Sequence, residues 1–154
     1  ESKTAFDMVK ALGGSPTPIS FGELYTSLQQ GVVDGAENNP PSFYLSRHYE
    51  VCKFYTLDEH TVLPDVLLMS THMWDSFSDQ EKKWLEQAVK ESVTEQRKLW
   101  IESEKKSLDA VKKAGVEIII PDKTLFSEKS KEILESYRDD KILYEFIERI
   151  KKTK

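Results

Sequence analysis

The feature that most constrains this chain is the stretch that follows Ser78. Ser78-Asp79-Gln80-Glu81 has the spacing of a capping box, in which the serine hydroxyl takes the N–H three residues on and the glutamate reaches back. From there to Ala114 there is neither glycine nor proline, and Trp84, Leu85, Ala88, Val89, Val93, Trp100, Leu108 and Val111 keep a broad helical stripe. As one helix, 79–114 spans roughly 54 Å at about 1.5 Å per residue, longer than a small domain is wide. Polar residues around Gln96 and Ser103-Glu104 break the stripe, which argues against a regular heptad seam. Two arrangements fit: one helix crossing between two lobes, or two helices with an unmarked bend. Core packing is the default reading of Trp84 and Trp100.

Around this stretch the elements alternate. Thr4–Leu12 reads as a short amphipathic helix ended by Gly13-Gly14, and Ser15–Ile19 as extended, since each proline disfavours α for its predecessor. Ser20 and Glu23 have capping-box spacing before a helix from Phe21 to about Gln30, closed by Gly31. Val32–Glu37 reads as a short strand and turn, and Asn39-Pro40-Pro41 as the start of another helix. Cys52–Leu57 is β-prone. Val62–Met69 is a nearly continuous apolar run, which predicts a strand buried on both faces with Pro64 at its start or at a bulge. After Gly115, Val116–Ile120 reads as a strand, and 127–137 and 141–151 as two closing helices. The order is mixed α/β.

Composition excludes several classes. The 154 residues suit one domain or a domain and a half. The net charge of −5, with both signs mixed along the chain, gives no basic footprint for nucleic acid and no polybasic membrane patch. No apolar run reaches the roughly 18 residues of a membrane span. The lone Cys52 forms no internal disulfide and reads as a small buried hydrophobe. Glu1-Ser2-Lys3-Thr4 runs almost at once into helical periodicity, as a cut inside a domain would.

The candidates for chemistry are few. His48, His60 and His72 are scattered, and none has the i, i+4 spacing of a helical zinc site. Asp58-Glu59-His60 is the only acid-rich triplet with a histidine. Neighbours along a strand point to opposite faces, so the three cannot converge on one ion, and a polar strand end near a ligand cleft is the better reading. A phosphate loop and a GxSxG elbow are both missing, so neither metal, cofactor nor catalytic group is indicated. The segment Pro16–Tyr25, then Leu28–Asn39, puts Phe21 at a helix start and Asn38 in a turn before another, both common places for ligand contacts. A phenyl face covers the apolar side of a sugar-like ligand, and a carboxamide offers both donor and acceptor.

The stretch PTPISFGELYTSLQQGVVDGAENN resembles the signature of the DctP family, the periplasmic solute-binding components of TRAP transporters. Tyr49-Glu50-Val51, the Thr56–His60 strand and the long helix from Ser78 also fit, so the resemblance covers essentially the whole chain. It implies an α/β, periplasmic binding protein-like (type II-like) two-lobe fold, incomplete here, with a long helix crossing between lobes. Residues 1–70 would be part of the second, C-terminal lobe. Residues 71–154 would supply the interlobe helix, a further strand and closing helices, with the first lobe largely missing.

By position, the resemblance implies that Phe21 stacks on the ligand and Asn38 hydrogen-bonds its carboxylate. Asp65 and Glu1 contribute polar contacts, and His60 lies near the cleft. The acids at Glu1 and Asp65 suit hydroxyl groups better than a carboxylate. The family's carboxylate-clamping arginine falls a few residues before Glu1, and neither Arg47 nor Arg97 takes its place. The implied partners are a small organic acid, with the GAENNP and LDEH segments closest to binders of hexuronates and related sugar acids, and TRAP membrane permease subunits. Two other readings remain: a helical scaffold using the 79–114 helix, and a sugar-acid hydrolase or lyase acting through Asp58, Glu59 and His60.

Overall fold

The computed structural model describes residues 3–153. In chain order it contains α1 (Lys3–Ala11), α2 (Phe21–Gln29), α3 (Pro40–Leu45), a 3-10 turn (His48–Glu50), β1 (Phe54–Thr56), α4 (Thr71–Ser76), α5 (Asp79–Lys113), β2 (Glu117–Ile119), α6 (Lys123–Glu135) and α7 (Lys141–Lys151). These fall into two compact units interleaved along the sequence. One holds the chain up to Asp34, Phe54–Thr61 and everything from Ile118; the other holds Gly35–Lys53 and Val62–Glu117.

Helix α5 is single and unbroken over 35 residues, about 52 Å at 1.5 Å per residue, and lies wholly in the second unit. The expected capping box starts it. The Ser78 N–H donates to the Glu81 carboxylate at 2.8 Å, and the Glu81 N–H donates to the Ser78 hydroxyl oxygen at 3.4 Å. The Ser78 side chain and N–H both donate to Glu81, and these bonds hold that carboxyl below its ordinary value. At the other end the Val116 N–H reaches the Val111 carbonyl at 3.1 Å and the Gly115 N–H reaches that of Lys112 at 3.1 Å. This is a Schellman closure, with Gly115 at φ 89° and the two residues it brings together, Val111 and Val116, both buried. Gly115→Ala puts a Cβ into left-handed backbone and should lower stability by about 1–2 kcal/mol in urea unfolding.

In the second unit α3 packs on α5. Asn39 caps α3 by accepting the Ser42 N–H at 2.9 Å, and two prolines occupy the first helical positions, where no N–H is needed. Phe43 of α3, Ser107 and Val111 of α5, and His48 are buried. Ser107 and Val111 are four apart and so share one face. Burial pushes the His48 imidazole below its ordinary 6.5. The folded state therefore holds it neutral while the unfolded chain protonates, so stability is full above pH 6.5 and declines as pH falls below it. His48→Gln should flatten that part of a stability-versus-pH curve.

In the first unit α1 packs on α6, and Thr4 meets the Tyr137 hydroxyl at 3.0 Å. Strands β1 and β2 form a two-stranded ladder. The Glu117 N–H donates to Lys53 and the Leu57 N–H to Ile119, each at 2.9 Å, a pattern in which both strands advance together. They are parallel, and the long helical stretch between them supplies the crossover that parallel strands need.

Several expectations are corrected. Val62–Met69 is not a strand: all eight residues are exposed, and none of their N–H groups donates within the described chain. The run has the apolar character of a buried strand, but nothing in the described residues pairs with it. The strand expected within Val32–Glu37 does not form either: residues 32–34 are a bend, with the Val32 N–H turned back to the Ser27 carbonyl at 2.9 Å. The Ser20–Glu23 capping box does not form. The Ser20 carbonyl takes the Glu23 N–H, and its hydroxyl turns to donate to the Glu23 carboxylate at 2.7 Å. Trp84 and Trp100 are not core but 65% and 41% exposed; sixteen residues apart, they lie on nearly opposite sides of α5. Helix α6 starts earlier than 127, at Lys123, because Asp122 caps it by accepting the Thr124 N–H at 3.0 Å. Helix α4 follows a serine cap, Ser70, that its short length hides in the sequence.

Candidate functional site

Phe21 is the first residue of α2, where the ring leaves the helix end 57% exposed. Ser20 precedes it in extended backbone, so the chain enters the helix from Pro16–Ile19 with the phenyl group at the turn. Gly31 ends the helix at φ 69°, with the Val32 N–H folded back to Ser27 at 2.9 Å. The sharp stop delivers the chain into the bend that leads to Asn38.

Asn38 is half-buried immediately before the cap of α3. Its carboxamide oxygen accepts the Asn39 N–H at 2.9 Å, while the Asn39 side chain caps the helix. Successive asparagines thus have separate work: Asn39 starts the helix, and the bond to its N–H orients the Asn38 amide. The positive end of the short helix lies beside that amide.

The Asp58–His60 segment follows β1. His60 Nδ1 and Asp58 Oδ1 are 2.8 Å apart, with side chains 15% and 18% exposed. A carboxylate only accepts, so the shared proton resides on Nδ1 and the tautomer is set. Glu59 takes a left-handed conformation, φ 52°, and its carboxylate turns away to pair with Lys123 at the start of α6. Residues 58 and 60 meet and residue 59 does not join them, but not through strand alternation: the expected Thr56–His60 strand ends at Thr56, and the left-handed Glu59 turns the chain between them. Among the described residues no group of three His, Cys, Asp or Glu side chains is arranged to hold a metal ion.

Phe21 and His60 belong to the first unit, Asn38 and Asp65 to the second. Asp65 is exposed within the unpaired 62–69 segment. Glu1 lies outside the described residues. Cys52 is half-buried, and burial pushes its thiol up, which suits packing rather than nucleophilic chemistry. The sequence reading missed Lys123. Its position just after a helix-capping Asp122 gives a cation at a helix start, but its link to Glu59 joins residues far apart in sequence.

The family model for the bacterial extracellular solute-binding proteins of family 7, DctP, matches residues 1–140. A solute-binding protein of Chromohalobacter salexigens is 39% identical over 131 residues, covering 84% of this chain and 39% of that protein. The solved TRAP periplasmic solute-binding protein of Xanthobacter autotrophicus Py2, with bound β-D-galacturonate, is 40% identical with a TM-score of 0.88, covering 100% of this chain and 52% of that one. That of Chromohalobacter salexigens DSM 3043, with bound D-glucuronate, is 36% identical with a TM-score of 0.87, covering 94% and 48%. The chain therefore spans about half the length, or less, of these relatives. Their fold is the α/β two-lobe arrangement of periplasmic binding proteins, with helices bridging the lobes. With its capping pattern, its Phe21–Asn39 segment and its full-length structural match all in agreement, the chain belongs to the DctP family of TRAP-transporter periplasmic solute-binding proteins.

Proposed function

We propose that the protein to which this chain belongs captures a hexuronate or closely related sugar acid and delivers it to the membrane permease subunits of a TRAP-type transporter. The observation that carries this reading is the match along the whole chain, at 40% identity, to a galacturonate-bound relative. In this proposal residues 1–70 form part of the second lobe, and residues 71–154 supply an interlobe helix, a strand and the closing helices. The remaining half of the polypeptide contributes the first lobe and the arginine that clamps the carboxylate as a bidentate fork. Phe21 covers the apolar face of the sugar ring, and the Asn38 amide bonds the carboxylate. Asp65, Glu1 and His60 take hydroxyl groups. An aspartate suits a hydroxyl donor because it accepts only, and it repels a second carboxylate. This favours monoacid sugars over dicarboxylates.

A thermal-shift panel on the full-length protein tests the proposal. A ligand that binds only the folded state, present at one hundred times its Kd, adds about 2.7 kcal/mol of stability. Galacturonate or glucuronate should raise the midpoint. A folded sample whose midpoint no organic acid moves overturns the reading. Within the site, Asn38→Ala should weaken binding by about 1–3 kcal/mol, because the ligand oxygen it served is left buried and unpaired. Titration calorimetry measures that loss, and an unchanged Kd removes Asn38 from the site.

A further inference from the structure

Strands β1 and β2 end side by side, and a single residue sets where. The Glu117 N–H donates to Lys53 and the Leu57 N–H to Ile119. In a parallel ladder of that register the next donor toward β1 is the N–H of residue 121, facing the Leu57 carbonyl. Residue 121 is proline and has none to give. Main-chain pairing stops there, and two residues past Leu57 the backbone turns left-handed at Glu59, φ 52°. Just beyond the ladder the Glu59 carboxylate meets the ammonium of Lys123, the first residue of α6. Ion pairs such as Lys3–Asp7 and Arg138–Glu135 lie within one helical turn, whereas this one joins segments separated by the whole of α5. Helix α6 itself gives no reason for a cation at its start, where the helix dipole is positive. The neighbouring Asp122 is occupied elsewhere, accepting the Thr124 N–H at 3.0 Å and the Thr124 hydroxyl at 2.6 Å.

We propose that Glu59 and Lys123 are positioning residues: their ion pair clips the 58–60 turn to the start of α6 and so holds the Asp58–His60 pair where the sugar-acid site needs it. This rests on the function proposed above, in which His60 takes a ligand hydroxyl. The left-handed backbone at Glu59 is what lets residues 58 and 60 meet at 2.8 Å while the side chain between them points away. A residue with a Cβ is disfavoured in that conformation and keeps it only where its surroundings hold it. Pro121 removes the main-chain clamp that a longer ladder supplies, and the ion pair replaces it with side chains. All of these residues belong to the first unit. Both charged side chains are exposed to solvent, so the pair adds little to global stability. Its effect lies in where the turn sits.

Two variants of the full-length protein test this. Glu59→Asn drops the charge but keeps a residue that tolerates left-handed backbone, and Lys123→Met drops the charge but keeps the stem. In calorimetric titration with galacturonate, both should weaken binding by about fivefold, the upper end for an exposed ion pair, with the urea midpoint nearly unchanged. If the two residues act merely as charges on an anionic ligand, losing Glu59 tightens binding and losing Lys123 weakens it. Opposite signs therefore overturn the proposal, as does no change in either variant. The double variant should bind no worse than either single one, since the second change removes nothing more, and additive losses also overturn it. Nitrogen NMR of the His60 ring reads the same effect without ligand. At pH 8 the unsubstituted protein should show the single tautomer with the proton on Nδ1, and both variants a mixture. An unchanged spectrum in both rejects the positioning role. If no hexuronate binds even the unsubstituted protein, the proposed function falls, and the His60 spectrum still decides whether the ion pair holds the turn.

Discussion

Phe43→Ala should lower stability by about 3–5 kcal/mol, the cost of removing a buried ring and leaving its cavity. Phe43 is buried on α3, a helix of six residues that cannot hold itself together by hydrogen bonding alone. Its stability comes from the Asn39 cap, the prolines at its start and the packing on α5. Removing the ring takes away the last of these. Since a domain's whole stability is about 5–15 kcal/mol, the loss is a large fraction of the total. Urea unfolding of the full-length protein measures it as a fall in midpoint. A change below about 1 kcal/mol, the size of an ordinary surface substitution or less, shows that the ring does not anchor α3. Because Asn38 directly precedes the α3 cap, the same variant should also loosen sugar-acid binding.

Val111→Asp should cost about 4 kcal/mol or more, since it buries a carboxylate without a partner. Val111 is 1% exposed on α5, two residues before the helix ends at Lys113 and four before Gly115. The damage has a pH signature. Burial raises the carboxyl's pKa, so the folded state prefers the neutral acid and the penalty shrinks as pH falls toward that raised value. Unfolding followed at pH 8 and pH 5 should show a smaller loss at the lower pH, measured against the unsubstituted protein at the same pH. A loss equal at both, or absent, shows that the side chain reaches solvent.

What could be read from sequence alone divides along physical lines. Signals that act within one helical turn were legible. The Ser78 box, the Asn39 cap and the glycines after α2 and α5 all fall where their chemistry puts them. Ser20 shows the limit of that reading: the Glu23 N–H is taken by the Ser20 carbonyl rather than by its hydroxyl oxygen, and the hydroxyl instead donates to the Glu23 carboxylate. Val62–Met69 shows a deeper limit. Alternation and apolar content report what a segment needs, not whether its partner is at hand, and here no described residue pairs with the run. Trp84 and Trp100 on α5 likewise read as core and are exposed. Of the expected site residues, Phe21 falls at a helix start and Asn38 just before one, as read from sequence, while their contact with a ligand belongs to the proposal. The Asp58–His60 pair did not follow from strand alternation, because the segment lies past the end of β1. The Glu59–Lys123 contact was not legible either, because it depends on a left-handed residue and on a helix far along the sequence.

The interleaving of the two units bears on the order in which the chain can fold as it is made. Synthesis proceeds from the N-terminus, and a unit can consolidate only when its last segment has emerged. Within this chain, the unit built from Gly35–Lys53 and Val62–Glu117 has its last segment by residue 117, while the other still lacks everything from Ile118 onward. The part of the chain that starts first therefore finishes last. During that interval the early helices α1 and α2 wait without α6, as nascent segments that a holdase or a translocation channel can keep open until the C-terminal helices arrive.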